Sequence, residues 1–140
     1  MRRYLFFQPF FLITSLFFSF SYVNATESNY LENQTFMTLS QAEKRWGKKD
    51  FSPEEFKRET ANNRAKMAVN LIKKKQFIGK RPAEIKKALG EFSGHFWSDN
   101  IPTYLIEEGW NQKTDSWQLV FLLDNAGNVK EVRIHKNCCD

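Results

Sequence analysis

The sequence predicts an α+β domain of two layers, with N-terminal helices packed on one face of a three- to four-stranded antiparallel sheet. Three observations carry this expectation. Apolar side chains between residues 39 and 90 recur at spacings of three and four, the helical period. Between residues 103 and 136 the pattern changes to alternation, the strand period. Helices come first and strands follow, and elements segregated in this way pack as a helical layer on a sheet.

Leu39 to Trp46 reads as a short helix, with Ser40 as its cap and Gly47 as its stop. The next helix has the strongest start signal. Ser52-Pro53-Glu54-Glu55 combines a capping serine, proline at the first helical position and glutamate three residues after the cap, a capping box that satisfies orphan amides. Phe56, Thr60, Arg64, Met67, Ala68, Leu71 and Ile72 continue at helical spacing, so one helix is expected from Pro53 to Lys75. Its closing lysines, Lys73 to Lys75, suit the negative pole of a helix C-terminus. A third helix opens at Pro82, turns Ile85, Ala88 and Leu89 inward, and stops at Gly90.

Phe92 to Trp97 reads as a loop or short strand. Strands are expected at Thr103–Glu108, Trp117–Leu123 and Val129–Lys136. The middle one is apolar on both faces: Trp117, Leu119, Phe121 and Leu123 alternate with Gln118, Val120 and Leu122, which argues for a central position. In the last strand Val132 and Ile134 alternate with Glu131, Arg133 and His135, as in a half-exposed strand. Asp124 to Asn128 forms the turn between them, with Gly127 available for a positive φ.

The 140 residues leave room for one such domain. Seven of the 14 phenylalanines fall within the first 25 residues. Met1-Arg2-Arg3, the uncharged apolar run Tyr4–Val23 and Val23-Asn24-Ala25 read as a signal peptide over 1–25, cleaved between Ala25 and Thr26. The alternative is an uncleaved single-pass anchor. Either outcome places the body across a membrane, periplasmic or secreted. No cysteine lies near residue 25, so N-terminal lipid modification is not expected. Residues 26–38 read as a flexible linker, 39–137 as the domain and 138–140 as a tail. Asn24 and Asn33 stand in glycosylation sequons, relevant only to a eukaryotic secretory route.

Without Arg2 and Arg3 the chain carries 19 Lys+Arg against 16 Asp+Glu, a net of +3. That is too mild for a nucleic-acid partner. The lysine clusters read first as solvated helix faces, and otherwise as contact with an acidic partner or anionic lipid, with membrane contact only peripheral once the leader is cut.

No Ser-His-Asp spacing, phosphate loop or H-E-x-x-H motif is present, and Glu107, Glu108 and Asp115 do not make a convincing carboxylate pair. Catalysis is not expected, and no cofactor is implied. The thiol pair Cys138-Cys139 cannot staple the fold, since neighbours in sequence close almost no loop and a bridge between them would be strained. With His135 it forms an H-x-x-C-C cluster, for which a passive tail, an intermolecular disulfide and a metal site remain open; only His95 could add a further imidazole. The binding inventory is richer. Phe96, Trp97 and Trp110 sit beside polar loop residues, where aromatics anchor partners, although they could equally cover the sheet's edge or outer face. Trp117 is expected in the core.

Ile78-Gly-Lys-Arg-Pro-Ala-Glu-Ile-Lys-Lys-Ala-Leu-Gly90, followed by Tyr104-Leu-Ile106, Trp117–Asp124 and Gly127-x-Val129, resembles the BamE (SmpA/OmlA) family of outer-membrane assembly lipoproteins and the similar β-lactamase-inhibitor-protein repeats. The resemblance spans about residues 67–136. It implies two helices on an antiparallel three-stranded sheet and a non-enzymatic envelope protein that binds another protein in support of outer-membrane assembly or envelope integrity. The repeats imply the alternative, inhibition of an extracytoplasmic enzyme. Arg81 stands where the family has a capping Ser or Thr.

Overall fold

A computed structural model describes residues 36–109 and 115–137. Its elements run β1 (Phe36–Met37), α1 (Leu39–Trp46), α2 (Pro53–Arg58), α3 (Ala61–Lys74), α4 (Pro82–Leu89), β2 (Thr103–Glu107), β3 (Ser116–Leu123) and β4 (Val129–Asn137). The strands form one antiparallel sheet in the order β1-β4-β3-β2. The fold is therefore α+β with helices on one sheet face, as the sequence predicts. The leader, most of the expected linker and the cysteine tail lie outside the described residues.

Four local expectations are corrected. Phe36 and Met37, assigned to the linker, pair with His135 and Ile134 and add a fourth strand. The cap of α1 is Thr38, not Ser40: Gln41 N–H donates to Thr38 Oγ1 at 3.2 Å, and Thr38 N–H donates back to Gln41 Oε1 at 2.9 Å. At α2 only half of the expected box forms. Ser52 Oγ accepts from Glu55 N–H at 3.3 Å, but the Glu55 carboxylate turns to Lys49 instead of the cap amide.

The largest correction is that the long helix is two. Glu59 and Thr60 are extended, with ψ of 158° and 166°. Arg64 makes the break tenable. Its guanidinium reaches back from α3 and donates to the Phe56 and Lys57 carbonyls at 2.9 and 3.4 Å, satisfying the open end of α2. It also lies 5.3 Å from the Phe56 ring centroid. The break lets α2 pack on α4 while α3 crosses β2 and β4 and carries α1.

The core fills the space between α3 and the inner sheet face. Ala65, Ala68 and Leu71 meet Tyr104, Ile106, Leu119, Phe121 and Ile134, all buried. Small residues on α3 admit the large rings of the sheet. Phe51, Phe56, Tyr104, Phe121 and Phe77 form a closed circuit of edge-on rings, with successive centroids 5.5–6.1 Å apart. Such edge-to-face pairs add to the stabilisation from burial. Trp117 is half-buried at the rim, edge-on to Trp46 at 6.1 Å, and not in the centre of the core as expected.

The turn before β4 forms as predicted. Asp124 Oδ1 accepts from Ala126 and Asn128 N–H, both at 2.9 Å, and Gly127 has φ of 80°.

Candidate functional site

The second face of the sheet has its own small core. Val120 and Leu122 point outward from β3, and apolar side chains there need a cover. Residues 91–102, between α4 and β2, supply it. The segment is pinned at both ends. Tyr104 donates its hydroxyl to the Gly90 carbonyl at 2.8 Å, and Phe121 N–H donates to the Pro102 carbonyl at 3.0 Å.

Between these ends the segment is tied to the edge of β2. Ser93 and Gly94 N–H donate to the Thr103 carbonyl at 3.1 and 3.0 Å, and Ser93 Oγ accepts from Leu105 N–H at 3.0 Å. These bonds occupy edge groups that would otherwise be open to strand pairing. Arg64 Nη1 donates to the same Ser93 hydroxyl at 3.2 Å, so the helix break and the covering segment share one hub. Burial pushes the Arg64 pKa down, but the guanidinium keeps its charge through the working range. His95 N–H then donates to Gln118 Oε1 at 2.9 Å.

Phe96 and Trp97 part company at this point. Phe96 is only 3% exposed, set against Val120 and Leu122, with its ring edge-on to His135 at 4.7 Å. Expected among the partner-facing aromatics, it instead covers the sheet, because Val120 and Leu122 leave an apolar surface for it to bury. Trp97 is 70% exposed; among the described residues the other exposed large hydrophobic is Ile78, at 43%. Its φ of 60° lies in the left-handed region, where a side chain other than glycine's costs roughly 1–2 kcal/mol. The short Ser98 N–H to Phe96 carbonyl bond, 2.6 Å, closes the turn around it. A strained residue that projects an indole into solvent is the arrangement expected where strain serves a function. Beside it, His95 Nδ1 and Asp99 Oδ1 form an exposed pair at 3.0 Å.

No family model, no curated protein and no solved structure matches the chain.

Trp110, Cys138 and Cys139 lie outside the described residues. Among the described residues, no three His, Cys, Asp or Glu side chains group as metal ligands, and no helix is long and apolar enough to cross a membrane. The carboxylates considered from the sequence do not converge. Asp115 pairs with Lys136 at 3.0 Å, and Glu108 is exposed. Glu107 accepts from Arg45 Nε at 3.2 Å, from Arg45 Nη2 and from Trp46 Nε1, clamping α1 to the end of the sheet. Burial pushes the Glu107 carboxyl up. The bonds from Arg45 and Trp46, with the Arg45 charge, outweigh that and hold it below the usual carboxylate range.

The clamp predicts a pH signature. Because the folded carboxyl binds its proton more weakly than the unfolded one, its stabilisation is present above the ordinary carboxylate pKa of 4.5 and is lost as the pH falls below it. Glu107→Gln should therefore cost about 1 kcal/mol at pH 7, and the gap from wild type should close at acid pH. Urea titrations at pH 7 and pH 3 read both values; an equal gap at the two pH values would refute the clamp.

Proposed function

We propose that this chain is an exported, non-enzymatic protein-binding module of the bacterial cell envelope, with Trp97 as its principal anchor. The observation that carries this reading is the exposure of Trp97 on a left-handed residue, held by a segment whose neighbours are buried or hydrogen-bonded. Hot spots at interfaces are enriched in tryptophan, and a pre-ordered backbone lowers the entropy lost on binding. The leader over 1–25 supports export, and the BamE-like pattern over residues 67–136 supports a role in outer-membrane assembly or envelope integrity. The inhibitor reading asks for loops that present aromatic and acidic residues on a concave sheet; capture of one soluble enzyme in place of an assembly factor would favour it.

Affinity capture from envelope extract, quantified against Trp97→Ala, tests the proposal. The variant should weaken capture at least 30-fold, about 2 kcal/mol. Its melting temperature should stay near wild type, because an exposed side chain adds little packing. Ile78→Ser should bind normally. Undiminished capture by Trp97→Ala, or an equal loss in Ile78→Ser, would defeat the assignment.

A further inference from the structure

The segment that presents Trp97 rests on a buried, titratable ring. His135 is 6% exposed on the outer face of β4. Phe96 meets its ring edge-on at 4.7 Å, and Phe36 of β1 lies at 5.6 Å. Across the strand pair its register partner is Gln118, whose amide oxygen holds the His95 N–H. One imidazole thus sits beneath Phe96 of the segment, beside Phe36 of β1 and beside the residue that tethers the segment to the sheet.

We infer that His135 is an acid-sensitive latch: with the ring neutral the 91–102 segment lies down on the sheet, and protonation of the ring releases it. Regulation of binding by this latch rests on the reading of Trp97 as the anchor; the latch itself does not.

Among the described residues, the elements around the ring bring the following groups toward it. β1 contributes Phe36 and β3 contributes Gln118, both neutral. The segment's own titratable side chains face away: Glu91 pairs with Lys86 and is 81% exposed, and His95 and Asp99 pair with each other and are 65% and 97% exposed. On β4, Arg133 lies 4.8 Å over the Phe36 ring and pairs with Glu131, while Lys136 pairs with Asp115. An imidazolium formed here would be desolvated between two phenyl rings, and opening the segment would rehydrate it.

Burial pushes the His135 imidazole down to about 4, from 6.5 in the open. The closed state therefore binds the proton more weakly than the open one. Closure is fully favoured above pH 6.5 and weakens as the pH falls toward 4. The span limits the change in the opening equilibrium to about 300-fold, with roughly 75-fold realised by pH 4.5.

Amide hydrogen exchange on the full chain, corrected for intrinsic rates, reads this directly. Protection of the Ser93, Gly94 and His95 amides should fall by tens of fold between pH 7 and pH 4.5, while those of Leu119 and Val120 stay protected. His135→Phe should abolish the fall. If that variant does not fold, an NMR titration of the wild type decides: the Gly94 and His95 amides should shift with the midpoint of the His135 ring. The latch is overturned if these amides follow the His95 ring or the carboxylates, if His135→Phe keeps the acid response, or if the core opens together with the segment. None of these outcomes touches Trp97 capture at neutral pH, so the two readings fail separately.

Discussion

Phe121→Ala is expected to cost about 3–5 kcal/mol, the largest effect of any single substitution proposed for this domain. Phe121 is fully buried on β3, at the centre of the inner sheet face. Its ring touches Tyr104 at 5.9 Å and Phe77 at 5.8 Å, closing the aromatic circuit between the sheet and the helical layer. Removing it loses the transfer energy of the ring, two edge-on contacts and the packing of both neighbours. The neighbours cannot collapse into the gap, because Tyr104 is tied to the Gly90 carbonyl and Phe77 to the turn that pairs with β4. Domains of this size have about 5–15 kcal/mol in all, so the variant should be partly unfolded near physiological temperature. Urea titration should show a lower midpoint with an unchanged slope. Phe121→Leu, which keeps most of the volume, should cost much less. A midpoint shift worth under 1 kcal/mol in the alanine variant would mean that the circuit does not hold the layers together.

Gly94→Ala is expected to cost about 2–3 kcal/mol, the upper part of the range for overpacking. A methyl at this position would press into the Gln118 amide oxygen and stand 2.8 Å from Thr103 Cγ2. The far end of a flexible side chain would ordinarily swing away. Gln118 is only 1% exposed and its oxygen accepts the His95 N–H, so yielding costs a buried hydrogen bond. The test is a double-mutant cycle with Gln118→Ala, measured by thermal denaturation. The two substitutions should be strongly non-additive, because removing the amide relieves the clash. Simple additivity would show that the close approach of Gly94 to the sheet does not determine the position of the segment. Trp97 fluorescence would follow any lifting of the segment in the single mutant.

Much of the fold was legible because it rests on local chemistry. Pro82 and Gly90 bracket α4, Asp124 and Gly127 make the last turn, and the alternation from Trp117 to Leu123 marks an interior strand. The break at Glu59 and Thr60 was not legible. Helical spacing continues through it in phase, and the residue that stabilises it, Arg64, reads as an ordinary polar position on a helix. The two residues of β1 are too few to show a period, and they form a strand only because β4 offers an edge beside them.

The binding segment was half legible. An aromatic pair beside polar residues was visible, but sequence treats Phe96 and Trp97 alike. One signal could have separated them: Val120 and Leu122 point away from the helical layer, so something apolar had to cover them. The Gly94, Gln118 and His135 roles carried no such signal, because each depends on a neighbour distant in the chain.

What the sequence determined by itself is the placing of the helices ahead of β2, β3 and β4, the bounds of α4 set by Pro82 and Gly90, the Asp124–Asn128 turn, and the burden of apolar surface on both faces of β3. These follow from bonds between residues a few positions apart. Only the tertiary structure decided which aromatic is buried and which is presented. Phe96 falls over Val120 and Leu122 because Ser93, Gly94 and His95 are hydrogen-bonded to Thr103 and Gln118, and the left-handed turn at Trp97 then directs the next ring into solvent. Hydrogen bonds between residues nine to 23 positions apart set that choice, and no local preference of either residue contains it.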